Sequence, residues 1–178
     1  MTDPAFRFRR PHPIFEDWAE RPAPGPIDRR LVHKNDDANV LLGRLERVGA
    51  HRFAAQLHLV ADHPFFFEHA CDHVPGLALV EWGRQTGIAV AHRFYDVPLD
   101  GFAFVIRELS VTFTSFAELD GPVFGESEVT EVVERRGVLH QMRFGGHFLQ
   151  HGTSIGTIEG QWTVLPDAVM RRLRKGPR

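Results

Sequence analysis

Residues 74–95, VPGLALVEWGRQTGIAVAHRFY, constrain the fold of this chain more than any other segment. The run is too long for a single strand and opens near Pro75, a residue tolerated in the first turn of a helix. It predicts a helix over about residues 75–93. Wound as a helix, Leu77, Leu79, Val80, Trp82, Ile88 and Val90 spread around most of the circumference, so the element must be buried nearly all round. Glu81 and Arg84 interrupt the run, which excludes a bilayer-spanning helix. Charges on so apolar a helix must point at something specific.

The flanking segments carry the period of strands. Residues 39–48 and 52–60 are separated by Gly49-Ala50-His51, a hairpin signal, with Phe53, Ala55, Leu57 and Leu59 on one face opposite Gln56 and His58. After Pro98, Leu109, Val111 and Phe113 alternate with Ser110, Thr112 and Thr114. Gly121-Pro122 turns into a strand over 123–134, Arg135-Arg136-Gly137 turns into one over 138–149, and 157–164 forms the last. Two strands, one all-apolar helix and about four long antiparallel strands predict an α+β domain, a curled antiparallel β-sheet around one long buried helix. Six of the twelve prolines precede residue 27, so residues 1–27 are expected as an extended, non-helical arm lying along the domain or a partner subunit. The domain proper is expected over 28–166, and 167–178 form a basic tail with Arg171, Arg172, Arg174, Lys175 and Arg178.

Composition narrows the partners. With 23 acidic and 21 basic residues the net charge is −2, so no whole-chain field favours nucleic acid. A single cysteine excludes an internal disulfide framework. The first eighteen residues lack the apolar core of a signal peptide, and a soluble, cytoplasmic chain with no membrane partner is expected. His69 with His73, and His147 with His151, have a spacing that binds zinc on a helix, but neighbouring prolines and glycines argue against helix at both. No metal and no cofactor are expected. Cys71 lies beside Glu68 and Asp72, which would raise its pKa, so a buried structural role is expected for it.

The specific signal is the junction leading into the helix: His63-Pro64-Phe65-Phe66, then Asp72-His73-Val74-Pro75-Gly76, then Glu81 with Arg84-Gln85. Together with Leu31-Val32-His33-Lys34, these residues resemble the A-factor biosynthesis hotdog family over roughly residues 30–165. The Pro-Gly, Glu and Gln spacing is also similar to the 3-hydroxyacyl-carrier-protein dehydratase hotdogs. However, Phe67 stands where those enzymes place their histidine. The resemblance implies a single hotdog fold and movement of a β-ketoacyl group from acyl carrier protein or CoA. The acceptor it implies is a small hydroxylated molecule such as dihydroxyacetone phosphate, on a route to butyrolactone or butenolide signals. Thioester hydrolysis, 3-hydroxyacyl dehydration and a non-catalytic acyl-binding role are the alternatives. Members of that family typically carry two hotdog repeats, and this chain has room for one, so a homodimer is expected to supply the second.

The residues themselves suggest roles. A helix N-terminus at Gly76 offers free N–H groups to a thioester oxyanion, and glycine lets a ligand approach the backbone. Glu81 and Gln85 share a helix face, and Gln85 is expected to contact the substrate. Burial should raise the pKa of Glu81 and suit it to acid–base work with His73 or His63. Arg84 is a candidate for a substrate phosphate, or else a salt-bridge partner of Glu81. Phe65, Phe66 and Phe67 are expected to line an acyl channel, and Asp72 is placed at the substrate by the resemblance.

Overall fold

The computed structural model describes residues 10–175; residues 1–9 and 176–178 lie outside the described residues. Nine principal elements follow one another: α1 (Ile14–Ala19), β1 (Leu42–Arg47), β2 (Arg52–Leu57), α2 (Gly76–Phe94), β3 (Phe102–Phe113), β4 (Phe124–Arg135), β5 (Val138–Gln150), β6 (Thr153–Pro166) and α3 (Asp167–Arg174). Two short 3₁₀ turns, Arg29–Val32 and Asp37–Asn39, precede β1. The six strands form one antiparallel sheet in the order β1-β2-β4-β5-β6-β3. From β1 to β6 the element order is the one expected from the sequence.

The sheet wraps α2, whose buried residues include Ala78, Leu79, Trp82, Gly83, Gln85 and Ile88–His92. Trp82 packs against Phe148, their rings 5.7 Å apart. Gly83 permits the closest approach, because a Cβ there would lie 2.5 Å from Ile158 Cδ1. Burial is not complete around the helix. Leu77 is 66% exposed, and Val80, Glu81 and Arg84 are half-buried. At spacings of three, four and seven these residues form one stripe, which the sheet leaves uncovered.

Two expectations about the flanks need correction. Residues 1–27 were expected without helix, yet Ile14–Ala19 form α1. The prolines bracket this turn and a half instead of interrupting it: Pro13 is its N-cap and Pro22 follows its end, positions where a missing N–H does no harm. Phe15 and Trp18 are buried, and Phe15 stacks on Phe124 at 5.2 Å. With Ala54 and Leu149 they form a second core on the outer face of the sheet. This is why both faces of β2 are buried where the alternation implied one. The C-terminal segment is likewise ordered as α3, tied to the sheet by the Asp167 N–H donating to Gly101 O at 2.8 Å.

The strand β3 is the sheet edge next to β6, and its apolar side is incompletely covered: Ile106, Leu109 and Phe113 are all exposed. A long edge strand with exposed apolar side chains is a template for pairing. No helix of the described residues is long and apolar enough to cross a membrane.

Candidate active site

The uncovered stripe of α2 faces a cavity of about 460 Å³ between the helix, the 63–66 turn and β3. Lys34, His63, Phe65, Phe66, Glu81 and Arg84 contribute to its wall, with Leu77, Val80, Ile106 and Leu109 supplying apolar surface. Five residues singled out from sequence therefore meet here: His63, Phe65, Phe66, Glu81 and Arg84.

Glu81 is the centre of the polar wall. Arg84 donates to it through both Nε and Nη2, at 2.7 and 2.8 Å, a bidentate pair one helical turn away. Lys34 Nζ lies 2.8 Å from Oε1, and Gln85 Nε2 donates to the same oxygen at 2.9 Å. Burial alone would raise the carboxyl pKa. The hydrogen bonds from Arg84 and Lys34, the Arg84 charge and the Gln85 amide outweigh it and bring the value from 4.5 down to about 2. The expected upward shift is thus reversed, because desolvation is outweighed by Arg84 on the same helix and by Lys34, which the helix sequence did not reveal. In this state Glu81 is a weak base and an anchor for charge.

Gln85 has a structural task. Fully buried, it donates to the Asn39 carbonyl at 2.8 Å and accepts the Leu41 N–H at 2.8 Å, fastening the approach to β1 onto α2. Lys34 is the residue that the sequence reading missed as a site residue. Its segment is held by His33, a left-handed residue (φ 55°) ending the first 3₁₀ turn, whose Nε2 lies 2.9 Å from His92 Nε2 on α2. His92 Nδ1 is in turn 2.8 Å from the Val97 carbonyl, where it donates, so His92 Nε2 accepts from His33. Burial pushes both imidazoles below their ordinary pKa, and for His33 the neighbouring His92 and Arg84 act in the same direction. The presence of Leu31-Val32-His33-Lys34 in the resemblance was the only available signal for Lys34.

His63 is 2% exposed and sits 4.6 Å, ring to ring, from Phe66. Its Nδ1 accepts the N–H groups of Phe65 and Phe66 at 3.2 and 3.4 Å, while Nε2 has no hydrogen-bond partner among the described residues. Phe65 is 67% exposed, Phe66 is buried, and Phe67 lies on a different cavity.

His73 and Gly76 are not brought to Glu81. They line a separate cavity of about 320 Å³ with Phe113 and Phe116. His73 Nδ1 pairs with the exposed Asp72 carboxylate at 2.7 Å. The space at Gly76 is taken by this chain's own Phe113 ring, which would lie 3.1 Å from a Cβ there. Cys71, expected to be buried, is half-exposed, and its Sγ donates to the His73 carbonyl at 3.1 Å. Cys71, Asp72 and His73 present side-chain ligand atoms within 4.8 Å of one another. His69 and His73 lie in a loop, and His147 and His151 lie on β5 and in the turn after it, so neither zinc-type spacing is on a helix.

Known proteins fit this architecture. Residues 16–166 match the A-factor biosynthesis hotdog domain. A 2-oxo-3-(phosphooxy)propyl 3-oxoalkanoate synthase of Streptomyces virginiae is 29% identical over 127 residues, which are 71% of this chain and 38% of that protein. The synthase of the same name from Streptomyces griseus is 32% identical over 91 residues, 51% of this chain and 30% of that one. The chain therefore spans well under half the length of these relatives. Among solved structures, a dehydratase heterocomplex of Xenorhabdus doucetiae matches with a TM-score of 0.64 at 19% identity, covering 83% of this chain and 96% of that one. A mutant thioesterase from Pseudomonas aeruginosa matches with a TM-score of 0.56 at 17% identity, covering 79% and 95%. These structural likenesses establish the curled-sheet, single-helix fold.

The electrostatics of Glu81 make a direct prediction. Its folded pKa lies below the unfolded value, so the stability it contributes is present above about pH 4.5 and is lost as pH falls toward about 2. In urea unfolding, the stability advantage of the native protein over Glu81→Gln should shrink across that window by on the order of 3 kcal/mol. Parallel pH profiles for the two proteins would show that the carboxylate is not held as described.

Proposed function

The chain belongs to the A-factor biosynthesis hotdog domain family, and from that membership we propose that it transfers a β-ketoacyl group from a thioester to a small phosphorylated alcohol. The observation that carries this reading is the pairing, in one cavity, of Lys34 and Arg84 with an apolar wall. Two cations around one carboxylate leave a net positive charge suited to a phosphate. Phe65, Phe66, Leu77, Ile106 and Leu109 offer apolar surface for an acyl chain. The product named in the Streptomyces relatives contains both parts, a phosphooxy group and a 3-oxoalkanoate.

The reaction forms two bonds, C–O and S–H, and breaks two, C–S and O–H. An acceptor hydroxyl oxygen, as in dihydroxyacetone phosphate, bonds to the thioester carbonyl carbon, the C–S bond breaks, and the hydroxyl proton ends on the departing thiol. Acyl carrier protein or CoA is the thiol carrier in this reading. Glu81 is the proton acceptor, but only once the acceptor is bound. A phosphate drawing on Lys34 and Arg84 removes the hydrogen bonds that hold the carboxyl pKa down, which raises its basicity where the hydroxyl arrives. His73 and Gly76, on the neighbouring cavity, and the exposed Asp72 have no step here within one subunit.

A second copy of the chain completes the assembly. Pairing β3 with the β3 of a symmetry mate continues the ladder and covers Ile106 and Leu109 at the cavity wall. Light scattering at micromolar concentration should give a dimer. A stable monomer that retains activity would rule out an assembly-dependent site.

The activity is tested by incubating the protein with a 3-oxoacyl thioester and dihydroxyacetone phosphate and following the ester by mass spectrometry. Lys34→Ala and Arg84→Ala should each raise KM for the phosphorylated acceptor by about tenfold or more, with a much smaller change in KM for unphosphorylated dihydroxyacetone. No ester above a Glu81→Ala control would sink the proposal. Thiol release without any acceptor would assign hydrolysis instead, and enoyl absorbance from a 3-hydroxyacyl thioester would assign dehydration. Acyl ligand retained with no turnover would assign a binding module.

A further inference from the structure

We infer that His63 acts in this transfer as a fixed Nε2–H donor to the acyl carbonyl oxygen, and that it is not a base. The inference rests on reading the cavity as a thioester site, and it starts from the local backbone. The His63 carbonyl accepts the Phe67 N–H at 2.9 Å, closing a single helical turn over residues 63–67. Pro64 occupies the first position of that turn, where no N–H is needed. The imidazole takes the place that a serine or aspartate oxygen occupies at a helix N-cap, its Nδ1 lying 3.2 Å from Phe65 N and 3.4 Å from Phe66 N.

Backbone N–H groups only donate. Nδ1 must therefore present its lone pair, and in a neutral imidazole the proton then resides on Nε2. Moving the proton to Nδ1 would set it against two N–H groups and uncap the turn. The same geometry opposes a general-base role, because a nitrogen that already carries its proton has no lone pair for a substrate hydroxyl.

The Nε2–H so fixed is a buried donor with no partner among the described residues, on the wall that also carries Glu81, Lys34 and Arg84. A buried donor left unpaired costs about 1–3 kcal/mol, and a ligand acceptor removes that cost. A thioester carbonyl oxygen is such an acceptor, and it gains negative charge as the acceptor hydroxyl adds. A donor held dry, with its proton fixed by the turn, stabilises that developing charge more than it stabilises the ground state. His63 keeps its proton throughout; the tetrahedral oxyanion is held while the C–S bond breaks. Because Nε2 is itself shielded from solvent, the substrate oxygen reaches it only when the wall yields, and Phe65, two residues on, is an exposed member of that wall.

Two nearly isosteric substitutions separate donor from base. In His63→Asn the side-chain oxygen can cap the Phe65 N–H as an Asx turn while the amide nitrogen still donates. In His63→Asp the cap is kept and the donor is lost. We expect His63→Asn to retain transfer within about tenfold and His63→Asp to lose about a hundredfold or more, the usual range for an oxyanion donor. The reverse order, with the carboxylate active and the amide dead, would overturn the inference in favour of a base. Nitrogen NMR of the unsubstituted, isotope-labelled protein should report the Nε2-protonated tautomer for His63, and an Nδ1-protonated ring would overturn it whatever the variants do. Binding of a 3-oxooctanoyl N-acetylcysteamine thioester labelled at the thioester carbonyl should move that carbon resonance downfield with the native protein and His63→Asn, and not with His63→Asp. If that contrast and the tautomer hold while no ester forms, the transfer reading fails and the donor assignment stands.

Discussion

The site depends on one half-buried carboxylate. Glu81 accepts from Arg84 and Gln85 on its own helix and from Lys34 on a segment far upstream, so it joins α2 to the chain entering β1. Gln85 extends the same network to Asn39 and Leu41. Taking a carboxylate out of water is expensive, and it is tolerated here because its oxygens are met by two cations and an amide. Such an arrangement contributes less to net stability than to definition: it fixes where Lys34 and Arg84 stand and leaves their combined charge in excess of the one anion.

That excess charge is exposed to a cavity because the sheet does not close over α2. The helix is seated by Trp82 and Gly83 against β5 and β6, and this rotation turns Leu77, Val80, Glu81 and Arg84 toward the gap beside β3. The apolar residues in that gap belong partly to the edge strand β3, so the edge left open to pairing and the cavity wall share the same residues. The outer face of the sheet is closed differently, by Phe15 and Trp18 of α1, which frees the inner face to hold the helix alone.

The strands and α2 were legible because their periods of two and 3.6 are set by which face meets the core. The short α1 was not, since proline content marks a breaker whether the prolines interrupt a helix or bracket it, as Pro13 and Pro22 do. Within the site, the spacing of Glu81, Arg84 and Gln85 on one helix could be read directly. Lys34 could not be placed, because its approach depends on the left-handed His33 and its bond to His92. The carboxyl pKa was misjudged because burial was weighed above the Arg84 pairing three residues on, and because Lys34 was not visible from the helix. His73 and Gly76 precede Glu81 closely in sequence yet open on another cavity, because the helix start turns them toward Phe113.

The most direct measurement is the titration of the Glu81 side-chain carboxyl by carbon NMR, in the free protein and with dihydroxyacetone phosphate at saturation. Lys34 and Arg84 should keep the free carboxyl ionised well below the usual carboxylate range, with a midpoint near about 2. The phosphorylated ligand should move that midpoint upward by taking over the two cations. A free-protein midpoint between about 5 and 7, the range that burial without partners would produce, would contradict the ion-paired cluster and the site built on it.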